Sequence, residues 1–343
     1  MRPFKELSRR ARLFRLRELA ISALEAYGLV GARLDFIQYF ENIIYRVDVP
    51  GKATTSVTGE HYLPNRYVLR IHAMGDREAI ASELTWLKAL SREAGLPVPA
   101  PVSTLNGQLL TTIMTPGIPN GRVVTLMRWL DGRKIQAGLR PKHLTALGQV
   151  VAQLHNFSAV WKPPAGFSRP HWDWRAQMGG SHFKFSMEEL VASMPDRFRQ
   201  PFLEVSQAAK RVMERFGKSP HAYGMIHADL YAENVLFKAG EAYPIDFEDC
   251  GYGYWMWDIA VALCQWAWGE DWERMREAFF DGYSRLRSLP EEQTQQLDLF
   301  VAAQFATMVL WASAFLKNDP QRIAEYEPWR DRNGDKLIEY MDR

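Results

Sequence analysis

Between residues 33 and 127 apolar and polar positions alternate with the period of a pleated strand. Segments 33–39, 43–49 and 66–72 are the clearest, rich in the β-branched and aromatic residues that suit a half-buried sheet surface. Two more strands are predicted near 108–113 and 123–127, and the polar, glycine-bearing stretch 51–64 reads as an exposed connection. Residues 78–90 switch to helical spacing, with Ile80, Leu84 and Leu87 on one face, until Gly95 and Pro97 end the helix. After Met127 the texture changes. Pro141 opens a helix whose Leu144, Leu147, Val151 and Leu154 share a face, and the remainder is predicted mostly helical apart from one hairpin. The pattern predicts an α+β protein of two lobes. A small antiparallel sheet with a helix occupies 1–127, a connector 128–132, and a larger, mainly helical lobe 133–343. The cleft between two such lobes is the expected place for a ligand.

The hairpin carries the chemistry. Residues 235–237 and 243–245 read as short strands around a connection, 238–242, that contains a glycine. Ahead of it runs Met225-Ile-His-Ala-Asp-Leu-Tyr-Ala-Glu-Asn234, and Pro244-Ile-Asp246 closes it. Asp229 and Asn234 lie on one irregular loop, so a carboxylate and an amide can face a common point. The hairpin is expected to return Asp246 beside Asn234, giving two oxygen donors to a Mg²⁺ that bridges phosphates. A loop of the form His-x-Asp-Leu-x-x-x-Asn with a later aspartate is the arrangement used to move a phosphoryl group from a nucleotide to a hydroxyl. Asp229 is then the base that orients and deprotonates the hydroxyl, Asn234 and Asp246 are metal ligands, and ATP and Mg²⁺ are the predicted cofactors.

Composition narrows the alternatives. With 343 residues, of which 47% are hydrophobic, the chain has ample material for two lobes, and a net charge of +2 gives no reason to expect nucleic acid as a partner. Basic residues cluster over 9–17, but Glu6, Glu18 and Glu25 interrupt them, so a solvated amphipathic helix is expected there rather than a targeting peptide. Two cysteines, Cys250 and Cys264, make no disulfide framework and suit a reducing cytoplasm. Residues 299–316 are apolar except for Gln304, Thr307 and Ser313, which approaches the length of a bilayer span. Ser288-Leu-Pro-Glu291 reads as a helix start with a capping box, so the helix begins before the apolar run. A buried helix of the larger lobe, with no membrane contact, is the expectation.

With loop, hairpin aspartate and two lobes in hand, the chain resembles the aminoglycoside phosphotransferase and choline kinase family, which has a protein-kinase-like fold. The likeness runs from about Leu19 to Leu316 and is strongest over 227–234 and 245–258. It implies that Asp229 is the catalytic base, that His227 braces the loop, and that the backbone of Met127, Arg128, Trp129 and Leu130 meets adenine. Asp258, in Trp255-Met-Trp-Asp258, matches a family aspartate that tethers the catalytic loop. Two departures stand out. No glycine-rich phosphate loop is present; Glu41-Asn42 would supply a polar turn, with Asn42 offered to a phosphate. Where kinases place a strand lysine this chain has Arg70, which keeps the charge and offers a fork to phosphate, with Glu83 on the following helix as its partner.

The acceptor is expected to be a small-molecule alcohol, such as an amino alcohol, an amino acid like homoserine, or an aminated sugar. His171-Trp-Asp-Trp174 sets aromatic walls beside an acid, as does the run of Trp255, Trp257, Trp266 and Trp268, which suits a cationic substrate but equally a tryptophan-rich core. Trp172, Asp173, Glu248, Asp249 and Asp258 are the candidate acceptor contacts. Two other functions stay open. Tyr39-Phe-Glu-Asn42 and Asp246-Phe-Glu-Asp249 look like segments of bacterial stress-response serine/threonine kinases of the same fold, and a nucleotide-binding pseudokinase scaffold is the third reading.

Overall fold

The computed structural model describes residues 3–39, 42–51, 61–73, 76–135, 137–180 and 183–343. The chain divides into two compact units, Met1–Arg133 with Pro163–Ser168, and Lys134–Lys162 with Arg169–Arg343. The short segment 163–168 therefore belongs with the first unit, although it lies far beyond the connector in sequence.

The first unit is built on five antiparallel strands: β1 (Arg33–Tyr39), β2 (Asn42–Asp48), β3 (Tyr62–His72), β4 (Leu110–Ile113) and β5 (Arg122–Leu130), in the spatial order β1-β2-β3-β5-β4. Alternation fixes which side chains turn inward. Ile43, Tyr45 and Val47 of β2 join Leu69 and Ile71 of β3 and Val124 and Leu126 of β5 in one apolar cluster. Helix α1 (Arg9–Ala26), capped by Ser8, buries Leu16, Leu19, Ala20, Ala23 and Leu24 in that cluster. Each fully buried leucine contributes roughly 1.5–3 kcal/mol. The basic N-terminal segment is thus a packed element, and its Arg15 donates to the Gly117 carbonyl at 2.8 Å. Helix α2 (Arg77–Arg92), with Asp76 as its N-cap, seats Ile80 and Leu84 against Leu110.

Two boundaries differ from the sequence pattern. β3 starts at Tyr62 and β5 continues to Leu130, and the two pair at Tyr62 with Leu130 and Tyr67 with Arg128. Residues 128–130, expected in a connector, are strand because the earlier start of β3 gives them a partner. Most of the connection 51–64 lies outside the described residues.

The second unit contains α3 (Pro141–Val160), α4 (Trp174–Gln177), α5 (Met187–Ser193), α6 (Asp196–Phe216), α7 (Trp255–Leu263), α8 (Trp272–Ser284), α9 (Glu291–Thr294), α10 (Leu297–Asn318) and α11 (Ile323–Met341). Helix α10 is its centre, packing against α6, α7 and α11. Residues Glu291–Asn318 are long and apolar enough to cross a membrane, and 78% of the most apolar window is buried inside the protein. The start of this segment is not the expected capping box. Pro290, with φ of −54°, is the N-cap of α9 and Ser288 lies too far back to cap it. Helices α3 and α8 approach closely enough to require glycine. A Cβ on Gly148 would sit 2.1 Å from the Phe279 carbonyl oxygen, and one on Gly282 would sit 1.9 Å from that of Thr145.

Five short strands complete the unit: β6 (His171–Trp172), β7 (Tyr223–Ile226), β8 (Val235–Lys238), β9 (Glu241–Pro244) and β10 (Gly251–Tyr254). They form a sheet in the order β6-β10-β7 and the hairpin β8-β9.

Candidate active site

The predicted hairpin is present, and it is tighter than its sequence suggests. Lys238 pairs with Glu241, so the expected five-residue connection is a two-residue turn of Ala239 and Gly240, with φ of +51° and +89°. Positive φ at both central positions is the geometry that matches strand twist. Val235 pairs with Pro244, and the Ile245 N–H donates to the Asn234 carbonyl at 2.8 Å, which returns Asp246 to the neighbourhood of Asn234.

The loop ahead of the hairpin is held from beneath by one buried carboxylate. Asp258, on α7, accepts the His227 N–H at 2.9 Å on Oδ2 and the Ala228 N–H at 2.7 Å on Oδ1. Ala228 has φ of +70°, a conformation an L-residue keeps only when its surroundings over-determine it. His155 of α3 supplies a third bond, Nε2 to Asp258 Oδ2 at 3.2 Å, while its Nδ1 meets the Tyr283 hydroxyl at 2.9 Å. Burial holds His155 well below the usual histidine range, so it is neutral, with its proton on Nε2 and Nδ1 accepting from Tyr283. Burial alone would raise Asp258. The hydrogen bonds it accepts from His155 and from the His227 N–H outweigh it and hold the carboxyl below its ordinary range. Asp258 is wholly buried, so it is a tether of the loop and not a contact for an acceptor.

His227 is likewise buried and kept neutral by desolvation. Its Nε2–H donates to the Ile245 carbonyl at 3.0 Å and its Nδ1 accepts the Asp229 N–H at 3.3 Å. One ring therefore ties the catalytic loop to the strand end that carries Asp246. Asp246 itself has φ of +66°.

Asn234 donates from Nδ2 to both the Asp229 carbonyl at 2.9 Å and Asp229 Oδ2 at 2.7 Å. Two acceptors fix the amide nitrogen and leave Oδ1 as its acceptor end. Desolvation, then the charges of Asp249 and Asp246, push Asp229 up to about 8, and Asn234 only partly offsets them. Asp229, Asp246 and Asp249 thus share one electrostatic environment. The donor set suits Mg²⁺: hard oxygens from Asn234 and Asp246, in a place where negative charge is already crowded. Among the described residues no group of three His, Cys, Asp or Glu forms an all-protein cage.

The aromatic–acid cluster is packed into the fold, as the core reading of its tryptophans expects. Trp172 is buried and donates from Nε1 to the Asp249 carbonyl at 2.6 Å. Asp173 caps α4, accepting from Arg175 N and Ala176 N, and pairs with Lys218 at 2.7 Å. Both are occupied by structural bonds, and Trp255 and Trp257 lie in the core. Glu248 and Asp249 form the turn after Phe247.

In the first unit, Arg70 does not point to solvent. Its guanidinium reaches Glu83 Oε1 at 2.5 Å, and the side chains are 4% and 2% exposed. Beside them His72 is driven down to about 2 by burial and by the Arg70 charge, so the only cation in this group is Arg70. Asn42 begins β2, buried, with Oδ1 accepting the Ala73 N–H at 3.3 Å, whereas the adjoining Glu41 lies outside the described residues. Of the segment expected to meet adenine, Met127, Arg128 and Leu130 are buried and Trp129 is partly so. The Arg128 N–H is committed to the Ala100 carbonyl at 2.8 Å, and the Arg128 guanidinium stacks over Tyr62 and Tyr67.

One cavity of about 340 Å³ in the second unit borders the catalytic loop. Glu233, next to Asn234, lines it with Lys134, Leu139, Gln265, Trp266 and Asp271. The Glu233 charge is the last and smallest of those that raise Asp229. Sequence reasoning did not single out Lys134, Glu233 or Asp271, nor His155. The first three are common surface types in unremarkable spacing, and a histidine on an apolar helix face gives no sign of its partner.

Such a loop and hairpin, in a chain made of an antiparallel-sheet unit and a mainly helical unit, define a phosphotransferase of protein-kinase-like fold. Residues 53–294 match the model of the phosphotransferase enzyme family, and the chain belongs to that family. It is an enzyme, a small-molecule kinase in which an alcohol group accepts the phosphoryl group. The homoserine kinase of Methylobacillus flagellatus is 29% identical over 258 residues, 72% of this chain and 73% of that one. The amicoumacin kinase of Bacillus subtilis is 23% identical, over 75% of this chain and 70% of the relative. Among solved structures, a microcompartment-associated aminopropanol kinase superposes with a TM-score of 0.76 at 24% identity, covering 95% of this chain and 98% of that one. The family match is shorter at both ends than the likeness read from the sequence.

Proposed function

We propose that the protein is an ATP- and Mg²⁺-dependent kinase of a small hydroxyl compound that carries an amine: an amino alcohol, an amino acid such as homoserine, or an aminated sugar. The observation that carries this reading is the fixing of Asp229 by Asn234 beside Asp246, with a charged cavity at the next residue of the loop. Asp229 Oδ2 is committed to Asn234, which leaves Oδ1 to accept the hydroxyl proton of the acceptor and orient its oxygen. A carboxyl pushed upward is a better base than a free aspartate once it is ionised. Asn234 Oδ1 and Asp246 would hold the Mg²⁺, which would supply neutralisation of the charge on the transferring phosphate. Arg70, fixed by Glu83, is assigned to the phosphates of the nucleotide.

The cavity suits the acceptor. Glu233 and Asp271 offer carboxylates to an ammonium, Lys134 offers a cation to a carboxylate, and Trp266 and Leu139 give an apolar wall. The substrates named for the homoserine and aminopropanol kinases, both small amino compounds with a hydroxyl, support this choice. Two buried free thiols, Cys250 and Cys264, support a cytoplasmic location.

The test is ATP consumption by the purified protein with Mg²⁺ and a panel of homoserine, aminopropanol, choline, an aminoglycoside and their deaminated analogues. Turnover should be stimulated by at least one amine and fall by at least about tenfold for its deaminated analogue. ATP hydrolysis that no small alcohol accelerates, or transfer to a generic protein substrate instead, overturns the reading.

A further inference from the structure

We propose that Arg169 is a positioning residue for the segment that carries the metal ligand Asp246, an inference that rests on the metal role assigned above. Arg169 lies outside every motif of the chain. Its guanidinium donates from Nε to the Cys250 carbonyl at 2.5 Å and from a terminal nitrogen to the Glu248 carbonyl. Between these two, the Asp249 carbonyl accepts from Trp172 Nε1. Three consecutive backbone carbonyls are therefore gripped by one short stretch, 169–172, whose Pro170 carbonyl also accepts the Tyr252 N–H at 2.8 Å. The approach is close enough to exclude a side chain. A Cβ on Gly251 would lie 2.6 Å from the Pro170 oxygen and 2.8 Å from Trp172 Nε1.

This grip has a function because of what precedes it. Asp246 stands in the left-handed region, and the Cys250 N–H closes a turn onto the Phe247 carbonyl at 3.0 Å. A strained residue holds its conformation when both flanks are pinned. Upstream the pins are the Asn234 carbonyl and His227; downstream they are Arg169 and Trp172. A planar fork spans carbonyls two residues apart, whereas an ammonium would serve them as a single point. Arg169 thus sets the direction of the Asp246 carboxylate without touching metal or substrate.

The readout is the Mg²⁺ concentration that gives half of the nucleotide-dependent rise in Tm, which needs no acceptor. Arg169→Ala should raise that concentration about tenfold, as loss of an outer partner of a metal ligand does. Arg169→Lys should fall between it and wild type, and Trp172→Phe should raise it about two- to threefold, with circular dichroism unchanged in each. A wild-type Mg²⁺ requirement in Arg169→Ala overturns the inference, whatever happens to its Tm. Should that variant not fold, Arg169→Lys and Trp172→Phe decide by the same measure, and unchanged requirements in both overturn it. Asp246→Ala separates the two levels. If it keeps the wild-type response to Mg²⁺ and nucleotide, the metal assignment itself fails. If it loses that response while Arg169→Ala keeps it, only the positioning role falls.

Discussion

Asp229 is a carboxyl kept in a place that disfavours its own charge. Its pKa of about 8 lies far above the ordinary value of 3.8, so the folded protein holds a proton that the unfolded chain has released. Folded binding exceeds unfolded binding across that window, and stability must fall as pH rises from about 4 to 8. Asp229→Asn keeps the shape and removes the charge. It should cut turnover by about 10²–10⁴-fold while leaving nucleotide binding in place. Without metal it should melt at least about 2 °C above wild type at pH 8, and the gap should close toward pH 4, as read in melting curves across that range. An activity-neutral substitution, or a variant no more stable than wild type at pH 8, counts against the assignment. Catalytic readiness here comes at the expense of the resting fold.

At the scale of elements, the Arg70–Glu83 pair joins β3 to α2 through two buried charges. Removing one member of such a pair is costly because the other stays behind in a dry site. Glu83→Gln should lower stability by about 3–5 kcal/mol, measured by the urea midpoint, and weaken Mg-ATP binding in the same preparation. The pair was legible in the sequence: strand alternation put Arg70 inward with Val68 and His72, and Glu83 fell on the next helix. The catalytic hairpin was legible too, since its residue types and spacing follow from local chain geometry. What escaped depended on partners distant in sequence. Nothing near His155 announces Asp258, 103 residues away. Arg169 sits among prolines and serines in a stretch with no periodicity, and its carbonyl partners lie about eighty residues on. Residues 128–130 read as a connector because the strand that recruits them starts four residues before its clearest pattern. The partners that Trp172 and Asp173 make in the fold were also beyond local reading. Their types suit a cation site, and in the fold they meet a carbonyl, a helix end and a lysine.

For the molecule as a whole, the longest apolar stretch is an interior one. Helix α10 buries Leu299, Phe300, Val301, Ala302, Ala303 and Ala306 among α6, α7 and α11. Such a helix satisfies the composition of a bilayer span while leaving little apolar surface for lipid. The expressed protein should therefore stay in the high-speed supernatant in low-salt buffer without detergent. Recovery only after detergent extraction would contradict the packing of α10.

The return of residues 163–168 to the first unit has a consequence for synthesis. A chain emerging from the ribosome presents the whole sheet and both its helices by residue 133, but the last piece of that unit follows only after α3 has been made. At about 5–20 residues per second this delay lasts a few seconds, during which the Ser82 hydroxyl waits for the Ser168 N–H that it accepts at 3.0 Å in the finished fold. Nascent folding of the two units is therefore interleaved rather than sequential, and a cut at the connector separates neither of them whole.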